Sequence, residues 1–520
     1  LILGVVALLL SSAPYLAGYA AQTPDRVFGG AVFDLPDYDS HLAKMQQGLR
    51  GEWLYRLLFT AEEHDGALLQ TIYVALGHFA RSTGLSLPLT YHLARVAFGA
   101  LFFVTAFRFI AAFHPPPAVR RAAFTLVAFS SGLGWLAQMV APAAEGGISP
   151  IDFWLIDANS FFSIMMFPHF TVAMACLLEI FTRLLSQVGA TSSASIRAQI
   201  LALTALSFLL TFVHPYAIAI VIAPAVLFGL VQGLRRRPLS RQGWLLAGAT
   251  GLGAGPILIY NAAVFTSQPV FRAWSTQNVT PSPPPIYYLL GFGLVLAFAL
   301  AGLRGFMREQ GDRAVFVFSW VAVVCLLIYL PIGIQRRFVE GVHVPLSVMA
   351  AYGLSEIAAR LPARRRFVAI NLLLALASMS NVYMVVGYSV TAATRSPSLF
   401  HSSDLVAAID WLGANSVWTD TVLATEVTGR LIPARIGHRV ALGHAIETLN
   451  YPERKRDVAA FFATDTADAE RKAMLERLGV QYVLRGDAER SLGGFDPARG
   501  DYLREVYRSG DVVVYRVVSF

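Results

Sequence analysis

The sequence predicts a polytopic α-helical membrane protein of about eleven transmembrane helices, followed by a C-terminal extracytoplasmic α/β domain. Three observations carry that expectation. Of the 520 residues, 56% are hydrophobic and only 14% charged, where soluble domains carry about 25% charged residues. The apolar residues form runs of about 20, the length a helix needs to cross the hydrocarbon core. Arginines collect in every second connecting loop, as they do in cytoplasmic loops. Disorder and a disulfide scaffold are excluded, because the apolar fraction is high and the two cysteines, Cys176 and Cys325, lie inside apolar runs.

The expected spans are 1–21, 88–113, 122–142, 166–185, 198–213, 216–234, 241–263, 286–305, 314–333, 341–360 and 366–390. The first begins at Leu1 without an initiator Met and reads as a span cut at its start; the stretch AGYAAQ leaves a cleavable signal as the alternative. Loops holding Arg120 and Arg121, Arg183 to Arg197, Arg235 to Arg241, Arg304 to Arg313, and Arg360 to Arg366 are assigned to the cytoplasm. Segments 22–87, 143–165, 214–215, 264–285, 334–340 and the tail from 391 then face outward. Segment 67–84 is read as a helix at the outer interface, since a span there would reverse every later loop. These features divide the chain into a membrane domain, 1–390, and an extracytoplasmic domain, 391–520.

The net charge of +8 divides unevenly: residues 1–390 hold 25 Lys and Arg against 16 acids, and residues 391–520 hold 16 against 17. The excess therefore reports topology, and the basic face that nucleic-acid binding needs is absent. In the tail, DLVAAIDWL, RKRDVAAFFA and DAERKAMLERLG have helical spacing. TVLATE, RVALG and QYVLR read as strands, and a strand pair closes around Ser509-Gly510-Asp511.

The acids of the first 390 residues gather on the outer side. Eight lie in the first outer loop (Asp25, Asp34, Asp37, Asp39, Glu52, Glu62, Glu63, Asp65), three in the second (Glu145, Asp152, Asp157), and Glu340 flanks a later one. Topology does not require this, since acids contribute little to orientation. Most are read as solvated loop surface. The segment 37–55 differs: Asp37, Asp39 and His41 fall within five residues, ahead of an amphipathic stretch expected to lie on the bilayer surface. Such carboxylates can divide labour, one holding a divalent cation, Mg or Mn, and one taking a proton from an attacking hydroxyl. Asp37 and Asp39 are therefore the candidate catalytic residues. Asp157 and His169 join Asp37 as candidate metal ligands, without the HExxH spacing of a zinc site.

Arg336 and Arg337 sit on the outer side, against the pattern of the other late loops. Paired guanidiniums suit phosphate oxygens, and with His214 and Tyr216 at a neighbouring outer mouth they form the candidate donor-phosphate site. Glu62, His64, His444 and Glu447 are acceptor-side candidates. Carboxylates and phosphate-binding arginines on one face suit a lipid phosphate carrying a transferable group. Its isoprenoid tail would lie between helices and its phosphate against the arginines.

These residues resemble the GT-C superfamily of integral-membrane glycosyltransferases, close to the protein O-mannosyltransferase and aminoarabinose-transferase branch and to uncharacterised bacterial members. DYDSHLA (37–43) is similar to the family's DExYYLA element, with Asp37 at the catalytic Asp and Tyr38 in place of the next acid. Asp157 is similar in place to the second acidic motif. QRRFVEGVHVPLSVMAAYGL (335–354) resembles a late family helix with a mid-helix Pro, here Pro345. The resemblance implies an inverting transfer from a polyprenyl-phosphate sugar to a glycan, lipid or protein acceptor at the outer face of the inner (plasma) membrane. The alternative is a transporter or flippase of lipid-linked sugars, which predicts inverted repeats and mid-span charges. The sequence shows no such repeat.

Overall fold

The structure is a computed structural model that describes residues 2–141, 149–186, 188, 195–237 and 239–518; Glu145 lies outside them. Among the described residues, seven helices are long and apolar enough to cross a membrane: Ile2–Ala20, Leu87–Ala111, Pro168–Leu185, Ile196–Val213, Ala217–Leu234, Arg241–Ser267 and Pro285–Gln310. Two bent pairs, Pro117–Phe129 with Gly134–Val140 and Ala363–Ala377 with Met379–Ala393, raise the number to nine if each is one span. The chain is thus a multi-pass membrane protein with fewer clear spans than the eleven expected. The remaining two expected spans, 314–333 and 341–360, correspond to the helices Asp312–Leu327 and His343–Arg360, which do not reach that measure of length and apolarity. Asp312–Leu327 has 16 residues, short of the crossing length. His343–Arg360 is buried along most of its length, so it faces protein, and it tolerates Glu356 and Arg360 in its last turns.

The chain divides into two compact units. The first comprises Leu1–Ala13, Leu93–Asn261 and Val279–Tyr388. Inside it the two bent pairs satisfy each other where their helices break. Ser131 N–H donates to the Ala377 carbonyl at 2.7 Å, Asn381 Nδ2 donates to the carbonyls of Phe129 and Ser130 at 2.8 and 3.1 Å, and Trp135 N–H donates to Ser380 Oγ at 3.0 Å. Asp152 completes the first break, its Oδ2 accepting the N–H groups of Gly132 and Gly134, each at 3.0 Å. A helix interrupted in an apolar setting needs such partners, because no water is there to take the freed backbone groups.

The second unit comprises Pro14–His92, Ala262–Asn278 and Ser389–Phe520, a division that differs from a linear boundary at residue 390. Its strands are β1 Arg26–Phe28, β2 Phe400–Ser402, β3 Thr421–Leu423, β4 Arg439–Val440, β5 Val480–Arg485, β6 Leu503–Ser509 and β7 Val512–Val517. β1 and β2 pair antiparallel. The others form a five-stranded sheet in the order β4-β3-β5-β7-β6, with β3 parallel to β4 and β5 and β7 antiparallel to both its neighbours. Side chains alternate across it with period two. Val422, Tyr482, Leu484, Val512 and Val514 pack with Ile409, Leu412 and Ile432 of the helices Ser403–Asn415 and Glu426–Ile436. Leu423, Val483, Val513 and Tyr515 pack with Val458, Phe461, Phe462 and Leu475 of Tyr451–Phe462 and Asp468–Arg477. The expected C-terminal α/β architecture is present, with one addition. The helix Glu426–Ile436 was hidden behind TVLATE, whose last residues start the helix through the Thr425 cap on the Thr428 N–H.

The segment that follows the helix Ile2–Ala20 is built into this unit. Ala43, Leu58 and Phe59 enter the core beside Ile409 and Val422. The helix Leu35–Arg50, expected on the bilayer surface, is instead buried on every face over Tyr38–Met45. Its close neighbour is the helix Thr71–Thr83, 13 residues and too short to cross, in keeping with the reading of 67–84 as a non-spanning helix. The two cross where a methyl on Gly48 would fall on the Val74 carbonyl oxygen and one on Gly77 on that of Met45. Gly48→Ala and Gly77→Ala should each cost about 1–3 kcal/mol through overpacking, seen as a lower unfolding midpoint in detergent. Gly255→Ala, with open space around it, should leave that midpoint unchanged.

Candidate active site

Within the second unit, the helix Leu35–Arg50 brings Asp37, Ser40, His41 and Lys44 onto successive turns of one region. A loop after β4, residues 443–450, meets them. Asp37 Oδ1 lies 3.1 Å from His444 Nε2; the His444 side chain is 5% exposed and that of Asp37 32%. His444 Nδ1 accepts the backbone N–H groups of Ile446 and Glu447, each at 3.2 Å. An acceptor nitrogen carries no proton, so the ring's proton sits on Nε2 and is donated to Asp37. Burial opposes a charge on His444, but the Asp37 bond and the Glu447 carboxylate outweigh it and raise its pKa. The two N–H groups aimed at Nδ1 act against that, and the geometry describes the neutral tautomer.

Glu447 anchors the same loop. Its Oε1 accepts from Ser40 Oγ at 2.6 Å and Lys44 Nζ at 2.8 Å, and its Oε2 from the Tyr55 hydroxyl at 2.5 Å. Lys44 also bonds Ser40. Burial alone would raise the Glu447 pKa, but the charge of Lys44 and the bonds from Lys44 and Ser40 hold it below the usual range. Burial and the Glu447 charge push the Tyr55 hydroxyl well up, so Tyr55 stays a donor.

Asp39 has a different environment from Asp37. It is buried, 3.1 Å from Arg430 Nε of the helix Glu426–Ile436, and burial pushes its pKa up to about 7 against the charge of Arg430. Glu62 is paired with Arg454 at 3.1 Å. His64 serves its own loop: Nε2 accepts the Leu57 N–H at 2.9 Å and Nδ1 lies 2.9 Å from the Glu62 carbonyl. Burial lowers its pKa despite the bond to the Glu62 carbonyl.

The first unit holds the other candidates. A 3-10 turn, Gln335–Val339, presents Arg336 and Arg337. Arg337 Nη1 is 3.6 Å from Asp157 Oδ2, and Arg336 lies over the Trp154 ring at 5.3 Å. Asp157 is buried, and burial, with the Glu340 charge, pushes its pKa up to about 6 against the pull of Arg337. The Tyr216 hydroxyl is 2.6 Å from His214 Nε2, and His214 Nδ1 is 2.8 Å from Glu340 Oε2. His169 packs between Phe167 and Phe170 and edge-on to His214, 5.0 Å between ring centres. His343 is buried between the hydroxyls of Ser130 and Ser160.

Arg336, Arg337, Asp157, His214 and Tyr216 are thus brought into one neighbourhood, as are Asp37, Asp39, His444 and Glu447 in the other unit. Of the expected metal set, Asp37 belongs to the second unit and Asp157 and His169 to the first; among the described residues no three His, Cys, Asp or Glu side chains gather closely enough to hold a metal ion. Sequence reasoning missed Lys44, Tyr55 and Arg430. Lys44 carried a usable signal, four residues after Ser40 and seven after Asp37 on the same helical face.

This fold defines a class. The structural neighbours of the chain are GT-C glycosyltransferases. Among them are ArnT from Cupriavidus metallidurans bound to undecaprenyl phosphate (14% identity, TM-score 0.56, 100% of this chain and 98% of that one) and the Archaeoglobus fulgidus oligosaccharyltransferase tethered with an acceptor peptide (14%, 0.53, 93% and 68%). A third is the arabinofuranosyltransferase AftD from Mycobacteria (16%, 0.57), of which this chain spans 40%. At these identities the likeness is one of fold. No family model and no curated protein sequence matches the chain.

The Lys44–Glu447 pair, with side chains 3% and 6% exposed, yields a stability prediction. Lys44→Met or Glu447→Gln alone leaves a buried charge or donor uncompensated and should cost about 3–5 kcal/mol. The double variant Lys44→Met/Glu447→Gln, which removes both charges and keeps an amide oxygen to accept from the Ser40 and Tyr55 hydroxyls, should recover most of it. Chemical unfolding in detergent checks this, and a double variant as unstable as the worse single would contradict it.

Proposed function

We propose that the chain is a membrane glycosyltransferase. It moves a sugar from a polyprenyl-phosphate donor to an acceptor hydroxyl on the extracytoplasmic face of the inner membrane, with inversion at the anomeric carbon. The observation that carries this reading is Asp37, a partly exposed carboxylate whose Oδ1 is held by a buried imidazole N–H. The GT-C fold supports it, as does the undecaprenyl phosphate bound by ArnT.

In the proposed step the acceptor oxygen attacks the anomeric carbon while its proton passes to the Asp37 carboxylate. The bond from that carbon to the phosphate oxygen breaks, and polyprenyl phosphate leaves with the electron pair. A single displacement of this kind inverts the centre. Arg336 and Arg337 oppose the charge gathering on the leaving phosphate, while the Tyr216 hydroxyl bonds His214 Nε2 and Glu340 orients that imidazole through Nδ1. Asp39, paired with Arg430, fixes the helix on which Asp37 sits. The acceptor is a glycan, lipid or protein hydroxyl. The step as written uses the chain's own groups.

Full-length protein in vesicles, offered undecaprenyl phosphate carrying radiolabelled arabinose, aminoarabinose or mannose, should release undecaprenyl phosphate and transfer one of these labels. Asp37→Asn should reduce transfer by about 100-fold or more while still binding donor. Arg337→Gln should raise the donor KM by about tenfold, the worth of one charged hydrogen bond. Full transfer by Asp37→Asn would overturn the assignment. Movement of intact donor across the vesicle without loss of its sugar would favour a flippase.

A further inference from the structure

We infer that His444 is a positioning residue for Asp37: the 443–450 loop exists to hold one imidazole N–H against Asp37 Oδ1, fixing the direction in which the carboxylate meets its proton. The inference rests on the reading of Asp37 as the base and goes beyond it by assigning the C-terminal part of the unit a share in the chemistry.

Three sets of contacts carry it. The imidazole is fixed from behind, since Nδ1 accepts two backbone N–H groups of its own loop. That leaves Nε2–H as the donor toward Asp37. The loop itself is fixed on both flanks. Thr448 Oγ1 accepts the N–H groups of Gly443 and His444, each at 3.2 Å, and donates to the Phe59 carbonyl at 2.7 Å. Leu449 N–H donates to Thr60 Oγ1 at 3.3 Å, and Gln277 Nε2 donates to the Ile446 and Thr448 carbonyls at 2.5 and 2.8 Å. Finally, Glu447 is tied to Ser40, Lys44 and Tyr55, so the loop is locked to the helix that carries Asp37.

A histidine in a loop that only closed the fold would have no need for a donor directed at a partly exposed carboxylate. A base benefits from one. With Oδ1 engaged by a fixed N–H, the carboxylate cannot rotate, and the orientation suited to proton transfer is kept between turnovers. His444 takes no proton in this account, because its second nitrogen is already occupied by the backbone.

Two variants separate this role from a structural one. In His444→Asn the side-chain oxygen takes the place of Nδ1 and keeps the backbone bonds, while the donor that reaches Asp37 is lost. In His444→Gln the amide N–H reaches the place of Nε2. With the full chain in vesicles and the labelled undecaprenyl-phosphate sugar that the wild type turns over, His444→Asn should lower kcat by about 10- to 100-fold with donor and acceptor KM unchanged. His444→Gln should stay within about fivefold of the wild-type kcat. His444→Asn with wild-type kcat, or His444→Gln as impaired as His444→Asn, would overturn the inference. Asp37→Asn, run alongside, separates the two claims: an inactive Asp37→Asn beside a fully active His444→Asn removes only the positioning role, whereas an active Asp37→Asn removes the base itself.

Discussion

A lysine and a glutamate that are both removed from water hold each other in place or not at all. The Lys44–Glu447 pair joins the helix Leu35–Arg50 to the loop after β4, with side chains only 3% and 6% exposed. Its desolvation is offset by the bonds around it: Ser40 and Tyr55 fill the remaining acceptor positions of the carboxylate. From this junction follow the position of the 443–450 loop, the position of His444 three residues before Glu447, and the hydrogen bond to Asp37. A first outer segment and a C-terminal α/β region some 400 residues later thereby become one folded body.

The same junction gives two neighbouring carboxylates unlike surroundings. Asp39 is buried against Arg430, and Asp37 reaches outward from the first turn of the helix. Environment rather than sequence distance therefore divides their work, one bracing the helix and the other taking the proton in the proposed reaction. In the first unit, Arg337 faces Asp157, and a buried carboxylate beside a guanidinium keeps the fork oriented.

Much of this was legible in the sequence, and the gaps have physical causes. Asp37 stood out as a candidate because an acid cluster just past an apolar run has no role in insertion. Arg336 and Arg337 stood out as candidates because they break the charge rule of the loops. The strands of the tail followed from alternation, and the hairpin from Ser509-Gly510-Asp511. The burial of Leu35–Arg50 was not legible, because the same alternation of polar and apolar residues describes a helix lying on a bilayer and one whose polar face meets buried partners from distant segments. Lys44, Tyr55 and Arg430 became visible only with those partners. Seven to nine helices meet the length and apolarity of a span among the described residues, because apolar composition read along the chain does not show where a helix such as His343–Arg360 packs against protein. Breaks like those at Ser130 and Ser378 depend on partners in another helix.

The central claim, that this fold handles a sugar linked to polyprenyl phosphate, is tested most directly by native mass spectrometry of the full chain purified gently from membranes. The account predicts one bound polyprenyl phosphate, with or without its sugar, retained through delipidation and lost in the Arg336→Gln/Arg337→Gln variant. Bilayer phospholipids alone, held equally by the wild type and that variant, would contradict it.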